Sequence, residues 1–267
     1  MYDFAYRRPQ SLADAAAAIA ADDEATVIAG GQTLLPVLRA RLAMPSTLVD
    51  LGRLDELKGI RAEGDQIIIG AGEQHAEVAA NSLVREALPG VAALAGGIGD
   101  PQVRHRGTIG GSIANNDPSA CYPSSALALD AAIVTTRRIL PAADFFTGMY
   151  ATALQRGELV KAVSYPQSPR CVYVKFPNPA SRFALIGVFA AVVGGRTRLA
   201  ITGGGAGVFR WTAAETYVDG GGPAPGVATL DMDLDLLTSD LHGSAEYRRQ
   251  IARTVAARAL AMLAALG

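Results

Sequence analysis

The last third of the chain has the most regular spacing of apolar and polar residues. Apolar side chains recur every three to four positions from Ser244 to Leu266, which predicts one long amphipathic helix with Tyr247, Ile251, Val255, Ala259 and Met262 on its apolar face. Two apolar runs, 183–193 and 198–202, meet at a glycine pair and predict a β-hairpin. Shorter segments of the same kinds predict a further strand and two helices, at 171–176, 212–217 and 230–237.

The N-terminal part alternates between extended and helical patterns. A weak alternation over 4–8 predicts a short strand, and Ser11 is placed to cap an alanine-rich helix. The apolar run 26–28 predicts a buried strand that leads into a glycine pair, and a helix is expected over 33–42. With a second strand at 48–50, this part forms a small βαβ-type unit.

The middle of the chain mixes strands, short helices and a glycine-rich loop. The predicted elements are a hairpin at 59–69, helices at 75–81, 83–95 and 123–129, and strands at 132–136 and 159–164. Four prolines mark a boundary near residue 168, namely Pro166, Pro169, Pro177 and Pro179. The patterns therefore predict three units, residues 1–55, 56–168 and 169–267.

Composition narrows the classes of function. The 267 residues are half hydrophobic, carry a formal net charge of −1 and contain no basic block, so nothing favours nucleic acid or an anionic membrane as partner. No apolar run is long enough to span a bilayer and the first residues do not form a signal peptide, so we expect a cytoplasmic protein. Cys121 and Cys171 are too few to ligate an iron–sulfur cluster, and the histidines show no metal-ligand spacing.

Two glycine-containing segments have the chemistry of anion-binding loops. Residues 29–36 read Ala-Gly-Gly-Gln-Thr-Leu-Leu-Pro, and residues 107–114 read Gly-Thr-Ile-Gly-Gly-Ser-Ile-Ala. Glycine permits positive φ and close approach of another group, and successive free N–H groups in such turns bind anions. Thr108, Ser112 and Asn116 add short side-chain donors. Two such segments indicate a ligand with two phosphates, or with one phosphate and a long polar arm.

A glycine pair by itself is more often a plain turn. Residues 203–205 and 220–222 are predicted to be such turns. The segments 29–36 and 107–114 differ because each combines glycines with hydroxyls or amides and borders an apolar run.

Together these two segments resemble the flavin-binding motifs of the FAD subunit of molybdenum hydroxylases. That family includes the medium subunit of aerobic carbon monoxide dehydrogenase and the flavin domain of xanthine dehydrogenase. The similarity covers nearly the whole chain, including residues 4–9, 141–146 and 240–248. It implies an α+β fold, in which a two-part FAD-binding domain of the PCMH type is followed by a smaller α+β C-terminal domain.

The resemblance implies FAD as the cofactor and assigns residues to its diphosphate and adjoining sugar. In the first motif these are Ala29, Gly30, Gly31, Gln32, Thr33, Leu34 and Leu35. In the second motif they are Thr108, Gly110, Gly111 and Ser112.

Other positions are implied to surround the flavin ring. Ile98 and Phe183 stand where family members cover its two faces, and Val160 and Lys175 match positions that contact the flavin. The alternative for Ile98, Val160 and Phe183 is ordinary core packing. Lys175 could equally be a surface charge, but beside the flavin it would favour the anionic reduced form.

One position departs from the family pattern. Cys121 stands where xanthine dehydrogenase relatives carry an aspartate, and a thiol is a weak hydrogen-bond partner. This leaves contact between Cys121 and the flavin open. Asn116 and Asp117 are candidates to replace it, and Asp117 could instead cap its own turn.

The implied function is electron transfer within a hetero-oligomer. A large molybdenum-cofactor subunit would hydroxylate the substrate, and a small [2Fe–2S] subunit would pass electrons to FAD, which reduces an external acceptor. Two alternatives stay open: a stand-alone flavin oxidase of a small molecule, and a non-enzymatic assembly protein that kept the fold. No residue set resembles a catalytic acid–base pair, and no metal site is expected within this chain.

Overall fold

The computed structural model describes residues 1–168 and 170–267. Its N-terminal part has the predicted βαβ organisation. The elements are β1 (Ala5–Arg7), α1 (Leu12–Ala21), β2 (Thr26–Ile28), α2 (Leu34–Arg39) and β3 (Thr47–Asp50). The three strands form one parallel sheet in the order β1-β3-β2. Ser11 caps α1 as predicted, since its hydroxyl accepts the N–H of Asp14.

The middle part is built around a five-stranded antiparallel sheet. Its elements in chain order are β4 (Ile60–Glu63), β5 (Gln66–Gly70), α3 (His75–Ala80), α4 (Ser82–Ala87), α5 (Pro89–Gly96), α6 (Pro101–Arg104), α7 (Ile109–Asn115), α8 (Tyr122–Ala128), β6 (Ala132–Thr135), β7 (Ile139–Pro141), α9 (Ala142–Phe145), β8 (Phe146–Gly148), β9 (Ala151–Thr152) and β10 (Val160–Pro166). The sheet order is β4-β5-β10-β6-β7, while β8 and β9 pair separately. The late strand β10 lies at the centre of this sheet, so residues distant in sequence meet there.

The C-terminal part is a four-stranded antiparallel sheet with a long helix across it. The elements are β11 (Cys171–Pro177), β12 (Ala184–Val193), β13 (Arg196–Thr202), β14 (Phe209–Arg210), α10 (Thr212–Asp219) and α11 (Ala245–Ala264). Helix α11 packs on β11 and β12, whereas α5 contacts β11 and α8 contacts β12 and β13. Single-turn 3-10 helices at Asp55–Leu57 and Leu234–Leu236 and a longer one at Ala224–Thr229 complete the described elements.

Two clusters of buried apolar side chains hold these parts together. The larger cluster joins the first and middle parts and extends to Phe189 and Ala191 of β12. The smaller cluster lies between the C-terminal sheet and α11. No helix in the described ranges combines the length and apolarity needed to cross a bilayer.

Four predictions of local structure need correction. The helix expected over 33–42 ends at Arg39, and Arg41 adopts a left-handed φ of 59°. The helix expected over 83–95 is two helices, because Pro89 cannot continue the first. The segment expected as a loop at 107–112 starts a helix at Ile109, with Thr108 as its N-cap.

The fourth correction concerns the helix expected over 230–237, of which only the 3-10 turn forms. Asp231 and Asp233 accept nearby backbone N–H groups, from Met232 at 3.0 Å and from Asp235 at 3.0 Å. Such local side-chain bonds compete with helical hydrogen bonds.

The apolar face predicted for α11 is only partly correct, since of its members Val255 and Ala259 are buried. Tyr247 and Met262 are 45% and 46% exposed, so that part of the sequence prediction is wrong. The buried face instead carries mostly small residues, namely Ala252, Val255, Ala256, Ala259, Leu260 and Leu263. Alanines let the helix backbone approach the sheet closely, which a face of large side chains would prevent.

The first prediction compares two large residues on this helix. Leu260→Ala should lower the free energy of unfolding by about 2–5 kcal/mol, because it leaves a cavity against the sheet. Met262→Ala, on the exposed side, should change it by less than about 0.5 kcal/mol. Urea denaturation of both variants measures the difference, and equal effects would contradict the orientation of α11.

Candidate functional site

The first motif forms a loop of unpaired backbone donors after β2. Gly31 has a φ of +72°, which turns the chain sharply away from the strand. The backbone N–H groups of residues 29–34 donate to no acceptor within the described parts of the chain. Successive free N–H groups of this kind create a local positive potential that suits an anion.

The second motif is held against the end of β5. The N–H of Ile109 donates to Glu73 O at 3.0 Å, and the N–H of Gly110 donates to Ala71 O at 2.8 Å. A Cβ atom on Gly110 would overlap Ala71, so glycine is required there for packing. Thr108 accepts the N–H of Gly111 through its hydroxyl, which starts α7 and fixes the loop.

The two motifs meet at a backbone contact. A Cβ atom on Gly30 would overlap the carbonyl oxygen of Arg106 and crowd the Cα atom of Gly107. Ala29 and Gly30 on one side and Thr108, Gly110 and Gly111 on the other line one cavity of about 820 Å³. The two motifs therefore lie on the same side of the molecule, and residues from each face a shared space.

The walls of this cavity combine apolar and cationic side chains. Ile19, Val27, Leu51, Leu57 and Val160 are among its apolar lining. Five cations also line it, namely Arg8, Arg53, Lys58, Arg106 and Arg156, against two carboxylates, Asp50 and Glu158. This excess of positive charge favours a ligand with negative charge.

Both carboxylates of the lining have partners within the protein. Glu158 is buried and accepts from Thr135 Oγ1 at 2.6 Å and from Arg138 Nε at 3.0 Å. The hydrogen bond from Arg138 is the main reason that the pKa of Glu158 falls to about 2. Asp50 accepts the hydroxyl of Tyr6. Of the two carboxylates, only Glu158 is paired with a cation among the described residues, namely Arg138, which lies outside the cavity lining, whereas Tyr6 is a neutral partner for Asp50.

Three of the predicted ring residues cluster elsewhere. Lys175 Nζ donates to Gly97 O at 2.5 Å and to Arg182 O at 3.3 Å. Since these carbonyls directly precede Ile98 and Phe183, Lys175 brings the two residues to the same region. Ile98 is half-buried and Phe183 is 51% exposed, and neither lines the cavity described above.

The remaining predicted residues have mainly internal partners. Asn116 is buried, and its amide donates to Gly148 O and Ala151 O, both at 2.8 Å. Asp117 accepts the N–H of Ser119 and the hydroxyl of Tyr150. Ser112 is half-buried in α7 and is not part of the cavity lining. Gly31, Gln32, Thr33, Leu34 and Leu35 follow Gly30 in the chain but are not among the residues that line the cavity, and the N–H of Leu35 donates to Gly31 O at 3.0 Å.

Cys121 lies near Lys175, one of the three residues of this second cluster. It is buried, and burial is the main cause that raises the pKa of its thiol, although the charge of Lys175 partly opposes this. The thiol therefore stays neutral at ordinary pH, and Cys121 is free rather than disulfide-bonded.

Sequence reasoning missed the cationic lining of the cavity. Arg8, Arg53, Lys58 and Arg156 are scattered along the chain and belong to no recognisable motif. Only Arg106, next to Gly107, could have been suspected from its position. The other four are brought together by packing of β1, β3 and the segment before β10.

This arrangement defines a class of protein. An α+β chain whose two glycine-containing segments face one partly cationic cavity, with a series of free backbone donors, fits a ligand that carries a diphosphate. FAD has that chemistry, and the residues present fit it.

Comparison with known proteins gives the family. Residues 2–168 match the model of the FAD binding domain in molybdopterin dehydrogenase. The chain is 33% identical over 269 residues to the nicotine 6-hydroxylase medium subunit of Paenarthrobacter nicotinovorans, covering 96% of this chain and 95% of that protein. It therefore belongs to the family of FAD-binding subunits of molybdenum hydroxylase-type complexes, and it is an FAD-dependent oxidoreductase component.

Solved structures agree with this assignment. A chain of carbon monoxide dehydrogenase from Hydrogenophaga pseudoflava superposes with a TM-score of 0.89 at 32% identity, covering 98% of this chain and 97% of that one. Quinoline 2-oxidoreductase from Pseudomonas putida 86 has a chain with a TM-score of 0.89 at 29% identity, covering 98% and 97% respectively. The α+β fold implied by the sequence resemblance is thereby confirmed.

The second prediction tests the contact between the two motifs. Gly30→Ala places a methyl group against Arg106 O and should push the segments apart, weakening FAD binding at least about tenfold. Gly111→Ala adds a methyl whose only near neighbour is Thr108 Oγ1 at 3.0 Å, so it alters the cavity surface without separating the segments. Gly207→Ala is the control, since open space surrounds it. Titration of FAD into apoprotein measures affinity, and wild-type affinity of Gly30→Ala would refute the shared site.

A buried histidine lies directly beneath the second motif. The N–H of His75 donates to Gly107 O at 3.0 Å, and its ring packs at 5.4 Å from that of Tyr122. Burial, assisted by the charge of Arg104, lowers the pKa of His75 to about 4. The imidazole is therefore neutral in the folded protein at ordinary pH.

The third prediction is a pH dependence of stability. The unfolded chain binds a proton at His75 near pH 6.5, whereas the folded chain does so only near pH 4. The free energy of unfolding should therefore fall as the pH decreases between these values, by up to about 1.4 kcal/mol per pH unit from this group. Urea denaturation between pH 7.5 and 5 checks this. His75→Gln should show a shallower slope, and an unchanged slope would contradict the assignment.

Proposed function

We propose that this chain is the electron-transfer subunit of a molybdenum hydroxylase complex. In this proposal it receives electrons from [2Fe–2S] clusters of a small partner subunit and delivers them to an external acceptor. A large partner subunit with the molybdenum cofactor completes the hetero-oligomer. The observation that carries the proposal is that Ala29 and Gly30 of the first motif and Arg106, Thr108, Gly110 and Gly111 at the second line one cavity.

We further propose a division of labour among the site residues. The backbone groups of residues 29–35 would bind the diphosphate and its sugar together with Thr108, Gly110, Gly111 and Ser112. Arg106 and the other cations of the lining would offset the phosphate charge. Val160 would form part of the apolar wall beyond them. Asn116 and Asp117 would not contact the cofactor directly. They would hold the backbone that follows α7 in place through their hydrogen bonds to Gly148 and Ser119.

The redox-active ring would lie at the cluster of Ile98, Lys175 and Phe183. When bound, FAD supplies exchange of electrons with both one-electron and two-electron partners. The exposure of Phe183 supports this placement, because a ring beside it could be reached by a neighbouring subunit. Lys175 would fix the positions of Ile98 and Phe183 relative to each other, because it donates to the carbonyls of the residues before them, Gly97 and Arg182.

The proposed domain division follows the sequence prediction, with units of residues 1–55, 56–168 and 169–267. Each unit has its own main sheet, which supports the division. The first two share one buried cluster, so they would act as one FAD-binding module. Pro169, at the proposed second boundary, lies outside the described residues.

Several observations support partners rather than independent activity. The chain has only two cysteines, both free and buried, so cluster ligands would have to come from another subunit. Its relatives are named as medium subunits or medium chains of their enzymes. A cytoplasmic complex is in keeping with the unpaired thiols.

The fourth prediction separates this function from a stand-alone flavin oxidase. The purified chain should bind FAD non-covalently, so that acid denaturation releases the flavin. After chemical reduction with dithionite, an artificial acceptor should reoxidise it, whereas carbon monoxide, purines, N-heterocycles and aldehydes should not reduce it in the isolated chain. Stopped-flow absorbance follows both steps. Direct reduction by any of these substrates would favour the oxidase instead.

A further inference from the structure

The loop between β11 and β12, residues 178–183, is closed around a single asparagine. Asn178 Oδ1 accepts the N–H of Ala180 at 2.9 Å and of Ser181 at 3.4 Å. The backbone of Asn178 also exchanges hydrogen bonds with the end of the loop, to Phe183 O and from Arg182 N, both at 2.8 Å. Asn178 is buried, and the shape of the loop that carries Phe183 depends on it.

A distant histidine holds the other side of the asparagine amide. Asn178 Nδ2 lies 3.1 Å from His242 Nδ1. Because Asn178 Oδ1 is occupied by two N–H groups, Nδ2 faces the histidine and can only donate. His242 therefore accepts through Nδ1, and its proton is on Nε2.

His242 lies in a turn that an arginine anchors to the sheet. Asp240 Oδ1 accepts the N–H of His242 at 2.8 Å. Arg248, at the start of α11, donates from Nη2 to both carboxylate oxygens of Asp240 at 2.7 Å. Its Nη1 donates to Leu185 O and Gly203 O at the ends of β12 and β13.

The chemistry of this anchor requires arginine. Arg248 is 3% exposed, and a buried cation is stable only when it is paired and hydrogen-bonded. Its planar fork reaches a carboxylate on one side and two carbonyls on the other at the same time, which a single ammonium cannot do. Asp240, in the turn before α11, supplies the carboxylate that pairs with this cation.

We propose that Arg248 is a positioning residue for the flavin ring, acting through Asp240, His242 and Asn178 on the loop 178–183. The loop presents Phe183, and its Arg182 carbonyl accepts Lys175 Nζ, so both ring-side groups depend on its position. The inference rests on the ring placement proposed above. It extends the proposed site to Asn178, Asp240, His242 and Arg248, which would position the ring without contacting it. None of the four belongs to a glycine-containing motif.

The experiment compares the wild-type chain with His242→Ala, Asn178→Ala and Arg248→Lys, each with and without FAD. His242 is exposed, so His242→Ala should fold even if Arg248→Lys does not. In all three variants, hydrogen exchange of the amides of Ala180 and Ser181 should accelerate at least about tenfold without FAD. With FAD, the visible flavin spectrum and the midpoint potential should differ from wild type.

The control is Glu215→Gln, which alters a second ion pair, between a buried carboxylate of α10 and an arginine of the same sheet. Glu215 accepts from Leu199 N at 2.8 Å and from Arg210 Nε at 2.9 Å, on strands β13 and β14. This variant should lower the melting temperature but leave exchange of the 178–183 loop and the flavin spectrum unchanged. His242→Gln, which keeps an acceptor, should restore part of the wild-type behaviour.

The outcomes distinguish this inference from the proposed function. If the wild-type chain takes up no FAD, the proposed function fails, while the exchange data still test whether Arg248 orders the loop. If the wild-type chain binds FAD and His242→Ala and Asn178→Ala keep its spectrum, potential and loop exchange, the positioning role is overturned. Accelerated loop exchange with an unchanged spectrum and potential would overturn it as well.

Discussion

The close backbone contact between Gly30 and Arg106–Gly107 is the constraint on which the binding site depends. Any side chain at residue 30 would overlap the opposite carbonyl, so the two segments can approach only through glycine. That approach places both motifs on one cavity and turns two separate loops into a single site. The supporting elements, β2 on one side and the end of β5 on the other, belong to different sheets that share one core.

The site combines exposed backbone donors with an unbalanced charge. Clustered cations repel one another, so bringing these side chains together lowers the stability of this region. A ligand that binds only the folded state stabilises it by an amount that grows with the logarithm of its concentration relative to its dissociation constant. Free backbone donors and an excess of positive charge both favour an anionic ligand. The pairing of Glu158 with Arg138 keeps a carboxylate of the lining from cancelling the positive charge.

The region of Ile98, Lys175 and Phe183 is held together by hydrogen bonds to backbone carbonyls. Lys175 joins the end of α5 to the loop before β12 by two bonds to carbonyl oxygens, so it links the middle part of the chain to the C-terminal sheet. Phe183 is held by its backbone rather than by burial of its ring, which is half exposed. Hydrogen bonds within the loop 178–183, and from Asn178 to His242, fix its position instead.

The sequence by itself determined the strand–glycine–helix order at 26–39, most of the strands, the long C-terminal helix and the flavin family, because these follow from local spacing and short motifs. It placed Val255 and Ala259 on the buried face of α11 but wrongly added Tyr247 and Met262, since alanines at close contact give a weak hydrophobic signal. Nor could it bring Arg8, Arg53 and Arg156 to one cavity, or place Arg248 between Asp240 and the ends of β12 and β13. These arrangements depend on pairing between strands far apart in the chain, such as β5 with β10, and tertiary packing alone decides them.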